Sequence, residues 1–370
     1  MDKTIIFYSP LNANIPFYKT GGAEIGCKRT IEILKKIGYK VEMIAKPTGT
    51  AGVKGYITEA VQSLREVRSK LRGSDAELFY LVGFYEKNIY IEWLISFWAK
   101  RSNKKIIYEP KNGCMVSDYY KGNAIYRYFN KKVLRRADAV FCQGIEYVRF
   151  LKEEFDIEGV YLPNYVMDKY LEASVERKQE EMIHLVFTGR IAPEKNVNLM
   201  IEVSKRLSEL GINNDLTLIG AYTEEYKRKL DQIISKLGIK KGQIQFLGSM
   251  TQDSILEELR KKDFFIFPST NRTEGHSNAL TEAMACGVIP IASTAGFNRD
   301  VIGNGKLIVQ EMEADKYAEC IADILKNDDV ESLRHEMIQR VKNNFTESIA
   351  TEKMRRVLDK LHRNMAVKSE

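Results

Sequence analysis

Cysteine and histidine are scarce in this chain: its 370 residues hold five cysteines and four histidines. Cys27, Cys114, Cys142, Cys286 and Cys320 are scattered, odd in number and form no C-x-x-C pair. That pattern argues against a disulfide framework and against a zinc site of ordinary spacing, and it suits a reduced, cytoplasmic chain. No D-x-D follows an expected strand, so neither a metal nor another cofactor is expected. No run approaches the roughly 20 apolar residues that a membrane-spanning helix needs. The opening M-D-K-T-I-I-F-Y-S-P is broken by Pro10 too early for a leader and reads as a first strand. No G-x-G-x-x-G follows that strand, which disfavours a nicotinamide dehydrogenase.

What is present fits a two-domain globular chain. Hydrophobic residues make up 44% and charged residues 29%, and the length allows two separate cores. Apolar runs at 4–8, 40–45, 78–82, 105–108, 139–142 and 160–162 alternate with helical patterns at 22–37, 56–71, 88–101, 123–136 and 145–154. The alternation resumes with strands at 184–188, 215–219, 243–247, 264–267, 288–292 and 306–309. Helices are expected between them, at 196–210, 223–237, 251–261, 279–286 and 313–326. This predicts an α/β chain of two doubly wound parallel sheets. Residues 1–165 form the first expected domain and 183–345 the second. The polar stretch 166–182 reads as a linker. The charged tail 330–365 reads as helical.

Charge is unevenly shared. Residues 1–165 carry 27 Lys and Arg against 18 Asp and Glu, and the remainder is nearly balanced. Arg127, Lys131 and Arg135 stand one turn apart on one expected helix, and Arg65, Arg68 and Arg72 form a similar row on another. Tyr126, Tyr128, Phe129, Trp93, Phe97 and Trp98 lie near them in sequence. Two readings fit: a solvated helix face over a core, or a patch for an anionic membrane surface or lipid phosphate. Nucleic acid is not an expected partner, because no reader motif accompanies the basic residues.

The segment Glu274–Glu282, E-G-H-S-N-A-L-T-E, carries the sharpest chemistry. The apolar run F-F-I-F-P-S precedes it, and a helix closed by Gly287 follows. Free N–H groups from Ser277, Asn278, Ala279 and Leu280 at that helix start would attract an anion, phosphate above all. Asn278 could also cap the helix. Glu274 and Gly275 sit beside that anion site, where a carboxylate suits sugar hydroxyls. His276 could touch the same sugar or pack inside. Upstream, H-L-V-F-T-G-R-I-A-P-E-K places Arg190 and Lys195 just after a strand ending at Gly189. Two cations there suit a diphosphate, beyond the carboxyl edge of a parallel sheet where α/β ligands bind. Gly21 and Gly22 open the first helix and would let a phosphate or sugar approach.

These two motifs, in this order and about 85 residues apart, resemble glycosyltransferase family 4, retaining enzymes of the GT-B architecture. The resemblance spans nearly the whole chain and is strongest over 184–292. It implies two Rossmann-like domains facing a cleft, with a tail from 346–370 packing back on the first. It implies a nucleotide diphosphate sugar, UDP-linked, as donor and a glycan or lipid-linked hydroxyl as acceptor, in bacterial surface polysaccharide synthesis. By resemblance Glu274 supports the donor sugar, Glu282 grips the ribose and Gly22 faces the donor. Arg190 and Lys195 offset charge on the leaving diphosphate. A histidine that several members place in the first domain has no counterpart here. Glu109, Lys111 and Asn112 are the polar candidates on the acceptor side. Two other readings stay open: a catalytically silent sugar-nucleotide-binding subunit, and a nucleotide-sugar epimerase of the same fold. The expected location is cytoplasmic, on the inner face of the cell membrane if the basic patch meets lipid.

Overall fold

The structure is a computed structural model and describes residues 3–11, 22–47, 52–83, 88–171 and 181–369. The chain divides into two compact units, residues 1–164 with 348–370, and residues 165–347.

The first unit runs β1 (Lys3–Ser9), α1 (Gly22–Lys36), β2 (Tyr39–Ala45), α2 (Gly52–Gly73), β3 (Leu78–Gly83), α3 (Asn88–Arg101), β4 (Lys105–Pro110), α4 (Met115–Lys121), α5 (Ala124–Arg136), β5 (Ala139–Cys142), α6 (Ile145–Phe155) and β6 (Gly159–Tyr161). Its strands lie in the order β2-β1-β3-β4-β5-β6, all parallel. Central strands such as β3, L-F-Y-L-V-G, are buried at every residue, as both faces of a parallel sheet must be. The edge strand β2 mixes buried, half-buried and exposed positions instead.

The second unit runs β7 (Ile183–Thr188), α7 (Val197–Glu209), β8 (Asn214–Ile219), α8 (Glu224–Lys236), β9 (Ile244–Gly248), α9 (Gln252–Leu259), β10 (Phe264–Phe267), α10 (Asn278–Ala285), β11 (Ile289–Ser293), α11 (Asn298–Ile302), β12 (Ile308–Val309), α12 (Ala314–Asn327) and α13 (Val330–Asn344). The strand order is β12-β11-β10-β7-β8-β9. The chain moves outward from β7 to β9 and then returns to the other side of β7. The order therefore reverses between β7 and β10. Adjacent loops leave in opposite directions there, which opens a crevice at the carboxyl ends of the strands.

Two expectations need correction, while the tail over 330–365 is helical in two elements: α13 ends at Asn344, and α14 (Glu347–Ser369) follows. The break comes where Thr346 bridges Val166 and the Phe345 carbonyl accepts the Val166 N–H at 2.9 Å. That bridge also folds the start of the expected 166–182 linker into the second unit, where Asp168–Tyr170 forms a 3-10 turn with Tyr170 buried. Residues 172–180 of that stretch lie outside the described residues. Strand 306–309 shrinks to Ile308–Val309, because the Asn304 side chain accepts from Lys306 N and starts a 3-10 turn over Gly305–Leu307.

Candidate active site

β7 ends at a backbone that only glycine adopts easily. Gly189 has φ +143°, and Gly220, after β8, has φ +146°. A Cβ at Gly220 would overlap the Gly189 carbonyl, so the two glycines let neighbouring strand ends close on one another. Arg190 follows and is largely exposed; its guanidinium pairs with Glu194 at 2.6 Å. The next turn, Pro193–Lys195, is a 3-10 turn, and Asn196 is left-handed at φ 55°. Helix α7 therefore begins at Val197, and Lys195 stands on the loop before it.

Lys195 reaches across the switch point. Its ammonium pairs with the Glu274 carboxylate from the loop after β10, and both side chains are mostly buried, at 14% and 11% exposure. The ammonium also lies 5.3 Å from the centroid of the Phe267 ring. The Ser269 hydroxyl donates to Glu274 at 3.0 Å, and the Ser293 hydroxyl donates to the Ser269 carbonyl at 2.8 Å. Asn298 Nδ2 in turn donates to the Ser293 carbonyl at 3.0 Å. Thr270 N donates to the Glu194 carbonyl at 3.1 Å, tying the two loops together. A ladder from α11 through the ends of β11 and β10 thus fixes Glu274. The sequence reading missed Ser269, Ser293 and Asn298. The Ser after F-F-I-F-P was the one available signal.

The two cations do not wait bare for an anion. Glu194 and Glu274 already hold them, where the motif reading left their charge to be met by a ligand. Placing Lys195 beside a carboxylate keeps it oriented without committing a diphosphate.

The rest of the motif is arranged along α10. Ser277 is the N-cap and accepts from Leu280 N at 3.4 Å. Asn278 is the first helical residue rather than the cap. Asn278 and Ala279 are partly exposed, and Leu280 is buried. The backbone N–H groups of this first turn point along the helix axis toward the loop that holds Gly275. Glu282 lies one turn on, at 8% exposure. His276 is turned inward: its Nε2 bonds Thr281 Oγ1 at 2.6 Å, and its ring meets Phe345 edge-on.

The acceptor-side candidates sit at the carboxyl end of β4 in the first unit. Glu109 pairs with Lys111 at 2.6 Å and accepts from the Tyr80 hydroxyl at 2.7 Å. Burial, with Glu109 adding to it, raises the Tyr80 phenol well above its usual range. Gly26 of α1 packs against this pair: a Cβ there would lie 3.3 Å from Lys111 Nζ and from Asn164 Oδ1. Asn112 is buried and its carbonyl accepts from Tyr147. Gly22 opens α1, and Gly21 lies outside the described residues.

Two doubly wound parallel units, one carrying a cation–carboxylate pair at its switch point, define the class: an α/β protein of the GT-B architecture. Residues 168–344, nearly the whole of the second unit, match the model of the family described as glycosyl transferases group 1. The D-inositol 3-phosphate glycosyltransferase of Geodermatophilus obscurus is 28% identical over 155 residues, 40% of this chain and 34% of the relative. The chain spans about a third to a half of the curated relatives it matches. Among solved structures, sucrose-phosphate synthase of Thermosynechococcus elongatus superposes with a TM-score of 0.74 at 15% identity, covering 98% of this chain and 100% of that one. HepE of Anabaena, solved with UDP-glucose, gives a TM-score of 0.70 at 14% identity, covering 96% and 99%.

Proposed function

We propose that this protein is a retaining glycosyltransferase that moves a sugar from a UDP-linked donor to a hydroxyl of a glycan or lipid-linked acceptor, in bacterial surface polysaccharide synthesis. The observation that carries the reading is the meeting of Lys195 and Glu274 at the switch point of the second sheet. A cation and a carboxylate held side by side match a ligand with a diphosphate joined to a sugar. A fold neighbour solved with UDP-glucose supports UDP as the nucleotide.

In the reaction the bond between the sugar C1 and the β-phosphate oxygen breaks, and C1 bonds to the acceptor oxygen. The acceptor proton passes to the departing phosphate on the same face, which retains the anomeric configuration. Lys195 and Arg190 take up the charge that grows on the leaving diphosphate. The α10 N-terminus adds its N–H groups to the same phosphates. Glu274 exchanges Lys195 for sugar hydroxyls and faces the positive charge that develops at C1. Glu282 binds the ribose hydroxyls. No metal is assigned a role, since the two cations do that work.

Incubation with UDP-glucose, UDP-galactose and UDP-N-acetylglucosamine, with and without short glycan acceptors, tests the reading. The expected result is an α-linked product by NMR and release of UDP. An interconverted UDP-sugar formed without acceptor would make the protein an epimerase. Binding without either reaction across the acceptor panel would make it a silent subunit.

A further inference from the structure

The first unit has a surface that the donor chemistry does not use. Helices α2, α3 and α5 lie side by side on it. The Tyr56 hydroxyl of α2 donates to Asn88 of α3 at 3.1 Å, and Arg68 of α2 stacks on Trp98 of α3 at 5.0 Å. On the other side, Tyr90 and Trp93 of α3 meet Phe129 of α5 at 5.1 and 5.0 Å. An ordinary amphipathic helix would turn its large apolar residues toward the sheet. Here many stay outside. Val53, Ile57 and Val61 form an outward stripe on α2, at 78%, 57% and 44% exposure. Ile125 and Tyr128 on α5 are 62% and 54% exposed, and Tyr90 and Phe97 on α3 are about two-fifths exposed.

The outward charge on α3 and α5 has one sign, while α2 carries Glu59 and Glu66 among its cations. The sequence of α5, A-I-Y-R-Y-F-N-K-K-V-L-R-R, contains no acid, and Arg127, Lys131, Lys132 and Arg135 are exposed. The only acid of α3, Glu92, is fully buried and paired with Lys46 at 2.9 Å. Exposed apolar and aromatic side chains interleaved with cations, with no acid among the outward residues of α3 and α5, complement an anionic lipid surface. A protein partner's apolar groove would match the stripe but leave the cations unanswered. No described helix is long and apolar enough to cross a membrane, so the contact is with the surface.

We propose that the α2–α3–α5 face docks the protein on anionic membrane surfaces, with Val53, Ile57, Ile125 and Tyr128 entering the headgroup region and Arg127, Lys131 and Arg135 meeting lipid phosphates. The proposal stands apart from the donor reading, because none of these residues belongs to the second unit.

Flotation of the full chain with phosphatidylcholine vesicles, with and without phosphatidylglycerol, tests it. Binding is expected only to the anionic vesicles. It should weaken from 0.1 to 1 M salt, as the screening length falls from about 10 to about 3 Å. The triple variant Arg127→Ala/Lys131→Ala/Arg135→Ala should lose about a hundredfold in vesicle affinity. Ile57→Ser/Tyr128→Ser should lose the part that survives high salt. Both variants should keep the wild-type thermal shift with UDP, which separates failure of this proposal from failure of the donor site or of folding. Equal binding to neutral vesicles, or full binding by the triple variant, would overturn the proposal. So would a dimer in the wild type that Ile57→Ser/Tyr128→Ser turns into a monomer without changing flotation, since the face would then belong to a second copy.

Discussion

Replacing Glu274 by Gln should move nucleotide binding and catalysis in opposite directions. Gln keeps the size of the side chain and can still accept from Ser269. What it removes is the charge that holds Lys195. Two unit charges about 4 Å apart attract by about 4 kcal/mol at the effective dielectric typical of a site near a protein surface. Desolvating the pair, which is mostly buried, cancels much of that attraction. A net competition of about 1.4 kcal/mol remains as a working value, and that corresponds to a tenfold change in affinity. UDP carries the diphosphate but no sugar, so it gains from a free Lys195 and loses nothing at Glu274. Calorimetric titration should therefore show UDP binding about tenfold more tightly to Glu274→Gln than to the wild type. Transfer should fall by about a hundredfold or more, the usual effect of deleting one charge-stabilising group. In Glu274→Gln/Lys195→Ala the gain in UDP affinity should vanish. Weaker UDP binding by Glu274→Gln would refute the idea that this carboxylate competes with the diphosphate for Lys195.

Other outcomes follow from neighbouring contacts. Ser269→Ala should lower kcat more than it raises KM for the donor, because Ser269 orients Glu274 rather than binding the nucleotide; Ser269→Thr, which retains the hydroxyl, should recover part of the loss. Gly220→Ala should cost roughly 1–3 kcal/mol in urea unfolding and weaken UDP binding, since its φ is +146° and the added Cβ overlaps the Gly189 carbonyl next to Arg190. His362 of α14 bonds the Tyr39 hydroxyl at 2.7 Å, and burial, reinforced by Lys3, lowers its pKa below the ordinary 6.5. The unfolded chain then binds more protons in that range. Stability from this contact should be complete above pH 6.5 and fade as pH falls through the lowered value; His362→Gln should lack that component in unfolding curves taken across pH 5–8.

Much of the architecture was legible because central parallel strands are continuous apolar runs. F-F-I-F and L-F-Y-L-V, bounded by polar or turn residues, need no partner to be recognised. Short elements were not. Helices α4 and α11 are too brief to show a period, and the 3-10 turn at Pro193–Lys195 lay in what read as the loop before α7. The motif residues were legible as types: a strand, Gly189, two cations, then a carboxylate ahead of a helix. Their pairing was not, since Lys195 and Glu274 are 79 positions apart and meet only because the strand order reverses between β7 and β10. The same holds for His276. Its place beside Gly275 left sugar contact and inward packing both open, and Thr281 and Phe345 draw the ring inward. The exposed faces of α2 and α5 were half legible: the cations stood out in sequence, but only the packing reveals which apolar residues face outward.

The most direct measurement is a thermal-shift titration with UDP, GDP and ADP in EDTA, on the wild type, Arg190→Ala and Lys195→Ala. A ligand that binds only the folded state raises its melting temperature by mass action. The expected result is a shift with UDP that persists without divalent metal and is lost or sharply reduced in Lys195→Ala, with a smaller loss in the more exposed Arg190→Ala. An unchanged UDP shift in both variants, or no shift with any nucleotide, would contradict the assignment of a nucleotide diphosphate site to the β7–β10 switch point.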